Sequence, residues 1–207
     1  MTFIEFFKNG GPVMWPLLMC SIIVLTVIIE RTLFWLGIGK QRNNSLMDEI
    51  LAIAEKGDWP LIREKTKGCK DHVIRVLTVG IMHREYDMVK AMEAESQVTI
   101  RKMSKFMNIL DTMITVAPLL GIFGTVLGII SSFKILGTSG IADPKLVTAG
   151  IAQALITTAS GLGISIISVF PYNYFNSRIE NAIHIMEKYA TSLEVVYNKL
   201  QGRKDSE

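Results

Sequence analysis

The chain has 207 residues, 49% of them hydrophobic and 20% charged, with a formal net charge of +3. At a mean hydropathy of +0.34 it is more apolar than an ordinary soluble domain and points to a small membrane protein. The basic excess lies beside the apolar stretches, which excludes a nucleic-acid surface as its cause, and Cys20 and Cys69 lie too far apart in the organisation below to form a disulfide.

Residues 1–11 open the chain with Thr2 to Asn9, where Phe3, Ile4, Phe6 and Phe7 oppose Glu5 and Lys8, the pattern of a short helix lying in the membrane interface. No basic leader and no small-residue cleavage site precede the first apolar stretch, so that stretch is expected to be retained. Charged residues are absent from Pro12 to Ile29, from Thr112 to Phe133 and from Leu146 to Ser177. A helix needs about 20 apolar residues to cross hydrocarbon, and each stretch supplies them. The expected fold is therefore all-α, with three transmembrane helices at 12–38, 106–133 and 146–177 and long helical cytoplasmic extensions. Trp15 and Trp35 stand about 30 Å apart along the first span, placing one indole at each interface.

The region 39–105 reads as helical. Leu46, Ile50, Leu51 and Ile53 share a face; Trp59 to Lys67 follows Gly57-Asp58, with Asp58 able to cap; and Val73, Val76, Leu77, Gly80 and Ile81 form a third stripe. Asp87 to Lys105 lacks Gly and Pro and carries Met88, Met92, Val98 and Met103 toward the second span, so one helix is expected to run from cytoplasm into membrane. A short loop, 134–145, joins spans two and three. Beyond the third span, residues 178–207 continue as an amphipathic helix and tail, with Ile179, Ile183, Met186, Tyr189, Leu193, Val196 and Leu200 as a stripe that needs a partner.

Lys40 and Arg42 follow the first span, Arg101, Lys102 and Lys105 precede the second, and Arg178 and Lys188 follow the third, whereas the 134–145 loop region holds only Lys134 and Lys145. The positive-inside tendency places 39–105 and the C-terminus in the cytoplasm, and the N-terminus and short loop outside. His72, His83 and His184 lie outside the spans without metal-ligand spacing, so no metal or other cofactor is expected.

Spans two and three each carry a row of small and weakly polar residues. On the second, Pro118, Gly121, Gly124, Thr125, Gly128 and Ser132 share a side; on the third, Gly150, Gln153, Ala154, Thr157, Gly161, Ile164, Ser165 and Ser168 do so, with only Ile164 breaking the small or polar row. Such rows either let helices approach closely or wall a space inside an assembly. Gln153 fits both accounts, as an interhelical hydrogen-bonding group or as a lining amide, and it cannot carry a proton itself. Glu30 and Arg31 lie near the inner end of span one, and Asp111 at the entrance to span two, where snorkelling or mutual pairing accounts for them. The three charge-free stretches hold no carboxylate, Lys or His, so any proton relay must borrow its acid from elsewhere.

TVAPLLGIFGTVLGIISSF at Thr115 to Phe133, GIAQALITTASGLG at Gly150 to Gly163 followed by Tyr172-Asn173, and GGPVMWPLL with IIER between Gly10 and Arg31 resemble the MotA/TolQ/ExbB proton-channel family, nearest its ExbB and TolQ branches. The resemblance implies a bacterial inner-membrane homopentamer around a dimer of single-span ExbD-, TolR- or MotB-like partners whose membrane Asp carries H⁺, or Na⁺ in a MotA-like stator. Ion flow would then drive mechanical work on the cell envelope through a TonB- or TolA-like transducer. The resemblance also assigns Thr125 and Thr158 to the pore, alongside Gln153 and Thr157 as ion-pathway candidates, and matches Pro118 to a proline of the second span. Two departures stand out. The family usually has Glu where this chain has Gln153, and its proline in the third span would fall at Ile167, whereas this chain has Pro171.

Other classes fit less well. Ser160-Gly161 suggests an intramembrane serine protease, but no His lies within a span to serve as base, so no enzyme is expected. No G-x-x-x-x-G-K-[ST] motif is present for a nucleotide-driven motor. A structural membrane scaffold, whose rows of small residues serve packing alone, is the remaining alternative.

Overall fold

The computed structural model describes residues 3–138 and 144–204. All elements among them are helices: α1 (Phe3–Asn9), α2 (Met14–Gln41), α3 (Asn44–Ala54), α4 (Trp59–Lys65), α5 (His72–Met82), α6 (Met88–Met103), α7 (Met107–Thr138) and α8 (Pro144–Lys204). Three segments are long and apolar enough to cross a membrane, Met14–Gln41, Met107–Lys134 and Thr148–Gly202. One set of their large apolar side chains stays outside the chain's own core: Leu119, Phe123, Val126 and Ile130 on α7, and Leu155, Leu162, Ile166 and Phe170 on α8, are all exposed. In water such surfaces would drive aggregation, so lipid or other subunits must cover them.

The chain divides into two units, one of residues 1–31 and 106–175, the other of 32–105 and 176–207. In the first, α7 and α8 pack against each other, and Val13, with Met14 and Leu17 of the start of α2, meets Leu120, Leu127, Ile156 and Ile164. In the second, α3 to α6 gather around the C-terminal part of α8. Met47, Ile50, Ile62, Val76, Leu77 and Met92 form one core with Met186, Tyr189 and Leu193. The amphipathic stripe of the last helix thus finds its partner within its own chain.

Short helices are marginal alone, and capping defines the ends of these. Asn43 accepts from the Leu46 N–H (3.1 Å), Asp58 from Leu61 (3.2 Å), and Asp87 from Lys90 (2.9 Å). Buried Asp71 caps α5 through Val73 and Ile74 (2.8 and 3.3 Å) and also accepts from the Asn43 N–H (3.0 Å), tying the starts of α3 and α5 together. Asp71→Ala is therefore expected to destabilise α5 by about 2 kcal/mol, which speeds exchange of its amide hydrogens about thirtyfold. Hydrogen exchange of the full chain measures this, and an unchanged rate in α5 contradicts it.

Three expectations are corrected. The helix expected to run unbroken from Asp87 into the second span is two helices: Ser104 ends α6, and Phe106, at φ 66, separates it from α7. That left-handed conformation costs a non-glycine residue about 1–2 kcal/mol. The Phe106 ring offsets it by lying 5.7 Å from the buried Arg31 guanidinium. Trp35, expected to face a membrane interface, is instead 7% exposed and packed within the second unit. Finally, α7 runs to Thr138 and α8 starts at Pro144, so helix occupies both ends of the segment read as a loop; 139–143 lie outside the described residues. Pro171 lies inside α8 without ending it.

Candidate functional site in the membrane hairpin

Glycines set the distance between α7 and α8. A Cβ on Gly121 would lie 2.9 Å from the Thr157 carbonyl oxygen and 3.1 Å from the Thr158 Cα. On Gly124 it would meet the Thr157 side chain; on Gly128, the Gly150 carbonyl at 2.8 Å; on Gly150, Ser132; and on Gly161, the Ala117 carbonyl and the Gly121 Cα. Backbones this close leave no room for larger side chains, and they bring carbonyls within reach of the neighbouring helix's hydroxyls. Pro118 sits half-buried one residue past Ala117 on the same helix.

Thr125 and Thr158 exploit that approach. Their hydroxyls hydrogen-bond each other across the two helices. Thr158 Oγ1 also reaches the Gly121 carbonyl (3.2 Å), while Thr125 Oγ1 reaches the carbonyls of Gly121 and Ala154 (3.2 Å each). Two hydroxyl protons share more acceptors than they can serve at once, so the pair has alternative hydrogen-bond arrangements and spare lone pairs. Both threonines are half-buried, and Thr125 borders an apolar recess of about 360 Å³ with Ile129, Phe133, Ile151 and Leu155. The hairpin thus presents an uncharged, hydrogen-bonding spot in an apolar face.

The other candidates are dispersed. Thr157 is fully buried between the helices, its hydroxyl donating to the Ala154 carbonyl at 2.8 Å. Gln153, half-buried, lies against the backbone of Gly11, where its amide occupies the place a Cβ would take and where φ is +72. Gly11 therefore serves two requirements that only glycine meets together. Arg31, 1% exposed, forms a two-pronged pair with Glu30 (2.5 and 2.6 Å). Asp111 is exposed on the first turns of α7, away from the threonine pair in sequence and on the outer surface.

One residue read as part of the third span's row bonds across the seam, and one contributor escaped the sequence reading. Ser165 Oγ donates to the Ile114 carbonyl across the helix pair at 2.8 Å, extending the seam by about two turns. Gly11 was readable only as part of a Gly-Gly-Pro entry to the first span, because its contact with Gln153 joins residues distant in sequence. Among the described residues no group of His, Cys, Asp and Glu could hold a metal.

Comparison with known proteins bears on this geometry. The sequence pattern of the MotA/TolQ/ExbB proton channel family matches residues 68–188, which include the whole threonine pair and its glycines. The chain is 29% identical over 201 residues to the biopolymer transport protein ExbB-like 3 of Synechocystis sp., covering 94% of each. It is 30% identical over 201 residues to ExbB-like 1 of the same organism, covering 94% of this chain and 78% of that one. With the Tol-Pal system protein TolQ of Pseudomonas aeruginosa it shares 34% identity over 112 residues, 54% of this chain and 48% of TolQ.

Proposed function

The chain belongs to the MotA/TolQ/ExbB proton channel family, and from that premise we propose that it is the pore-forming subunit of an ion-gradient-driven machine in a bacterial inner membrane. The N-terminus faces the periplasm and the C-terminus the cytoplasm. A homopentamer surrounds the membrane helices of a dimeric, single-span partner of ExbD or TolR type, whose Asp carries H⁺ past Thr125 and Thr158. One charge crossing 100 mV releases about 2.3 kcal/mol. A few ions per step suffice to repack the partner against this uncharged lining, and the motion reaches the envelope through a transducer of TonB or TolA type. Gln153 and Thr157 flank the route from the protein side.

The observation that carries this reading is the threonine pair: hydroxyls with spare lone pairs, half-buried in a hairpin that has no acid of its own between Thr112 and Phe133 or between Leu146 and Ser177. A proton needs a titratable carrier, so the lining fits a partner that brings one. A structural scaffold is the second reading, favoured by the glycines, whose close approaches serve helix packing within one chain. Purification from native membranes separates the two. The pore reading expects a one-span, Asp-bearing protein to copurify and the complex to pass protons in liposomes; absence of both leaves the scaffold. Replacing the H⁺ gradient with a Na⁺ gradient distinguishes a MotA-like Na⁺ stator.

A further inference from the structure

The turn that joins α1 to α2, Gly10-Gly11-Pro12, lies within the first unit against an early turn of α8. Both glycines take part. Gly10 is buried, and a Cβ there would meet Met14 and, at 3.1 Å, the Ile156 side chain. At Gly11, φ +72 carries the chain round from one helix to the next, and the Gln153 amide fills the space beside its Cα. The backbone hydrogen bonds that close the turn are long: Gly11 N–H to the Lys8 carbonyl (3.4 Å), Met14 N–H to Gly11 (3.2 Å) and Trp15 N–H to Pro12 (3.3 Å). Side-chain packing must therefore hold the turn in place. Phe7 and Trp15 meet edge-on with ring centroids 5.2 Å apart, and Val13, Met14 and Leu17 pack with Ile156 and Leu120.

Gln153 joins this turn to the seam of the hairpin. Its own carbonyl accepts from the Thr157 hydroxyl (3.3 Å), and the next carbonyl, that of Ala154, accepts from Thr157 (2.8 Å) and from Thr125 across the helix pair (3.2 Å). Thr158 follows five residues after Gln153, about 7.5 Å along the same helix. A stiff helical turn passes a displacement of one residue to its neighbours. Whatever moves the Gln153 side chain thus acts on the carbonyls that hold the threonines.

We propose that Gln153 is a positioning residue: seated on Gly11, it fastens the N-terminal turn to the stretch of α8 that carries Ala154, Thr157 and Thr158, so that the entry of the first span and the threonine pair move as one body. The fastening does not depend on the pore reading, and its failure leaves that reading untouched.

The test is hydrogen exchange of the full chain in lipid nanodiscs, read by mass spectrometry. Gln153→Ala removes the amide and keeps a good helix former in α8. Exchange in residues 9–17 is expected to quicken about tenfold and in 153–161 severalfold, with α3 to α6 unchanged. Leu155→Ala is the control, because Leu155 is 65% exposed on the same helix and its loss should leave 9–17 as they are. Gly11→Ala attacks the contact from the other side and takes the place of Gln153→Ala should that variant fail to fold. The two also form a cycle: with Gln153 already truncated, Gly11→Ala displaces nothing, and its effect on 9–17 should shrink at least threefold, leaving only the strain of the left-handed backbone. Unchanged exchange in 9–17, equal quickening by Leu155→Ala, an unmoved 153–161, or effects that multiply without coupling overturns the inference.

Discussion

Gly121→Val is expected to abolish assembly of the membrane hairpin. A Cβ there meets the Thr157 carbonyl oxygen at 2.9 Å, the Thr158 Cα at 3.1 Å and the Gly161 Cα at 3.4 Å, all backbone atoms of α8. Backbone cannot swing aside as the tip of a side chain can, so α7 must move away. That separation breaks the Thr158–Gly121 and Thr125–Ala154 hydrogen bonds. Overpacking costs about 1–3 kcal/mol and each interhelical hydrogen bond about 0.6 kcal/mol, so the combined loss is about 3 kcal/mol. Gly163→Ala is the matched control, because a Cβ at Gly163 meets nothing within 4 Å. The measurement is the yield of folded oligomer after reconstitution. Full recovery of Gly121→Val, or equal loss with Gly163→Ala, contradicts the packing account.

Thr158→Val is expected to leave the hairpin assembled and to lower ion-driven flux ten- to hundredfold. Valine keeps the shape and removes the hydroxyl that bonds Thr125 and the Gly121 carbonyl, while Thr125 retains its own two carbonyl partners. The structural cost is therefore below about 2 kcal/mol. Under the proposed function, a passing carboxyl would lose a hydrogen bond of about 1.5–3 kcal/mol, which gives the stated fall. Thr158→Ser, which restores the hydroxyl, should recover most of the flux. Proton uptake by liposomes containing the subunit and its partner measures both, and normal flux in folded Thr158→Val removes Thr158 from the ion route.

Three helices long and apolar enough to cross a membrane were legible because charge is excluded from hydrocarbon, although the helices themselves run on past the points where charges resume. Asp58 was legible as a cap because its chemistry is local. The stripe from Ile179 to Leu200 announced a buried face, although periodicity cannot say whether its partner is α3 to α6 or another copy. Phe106 was illegible: neither Gly nor Pro marks the break, and a ring contact with Arg31, distant in sequence, stabilises it. Trp35 misled because an indole suits a membrane interface and a protein core equally well. In the hairpin, sequence grouped Thr157 with Gln153 on one face. Close approach of the backbones buried Thr157 and left Thr125 and Thr158 as the half-open pair, a distinction that depends on helix spacing rather than on helical phase.

The hairpin's lack of any carboxylate, Lys, Arg or His from Thr112 to Phe133 and from Leu146 to Ser177 bears on how a cell tolerates uneven synthesis. A subunit with built-in acids could leak current whenever it outnumbered its companions and so drain the gradient that feeds it. On the proposed pore reading, copies of this chain made in surplus contribute no titratable group within these stretches, so they stay electrically silent. Overproducing the chain by itself should leave the membrane potential intact, and under the proposed function the dose of an acid-bearing companion would set how much current the envelope draws.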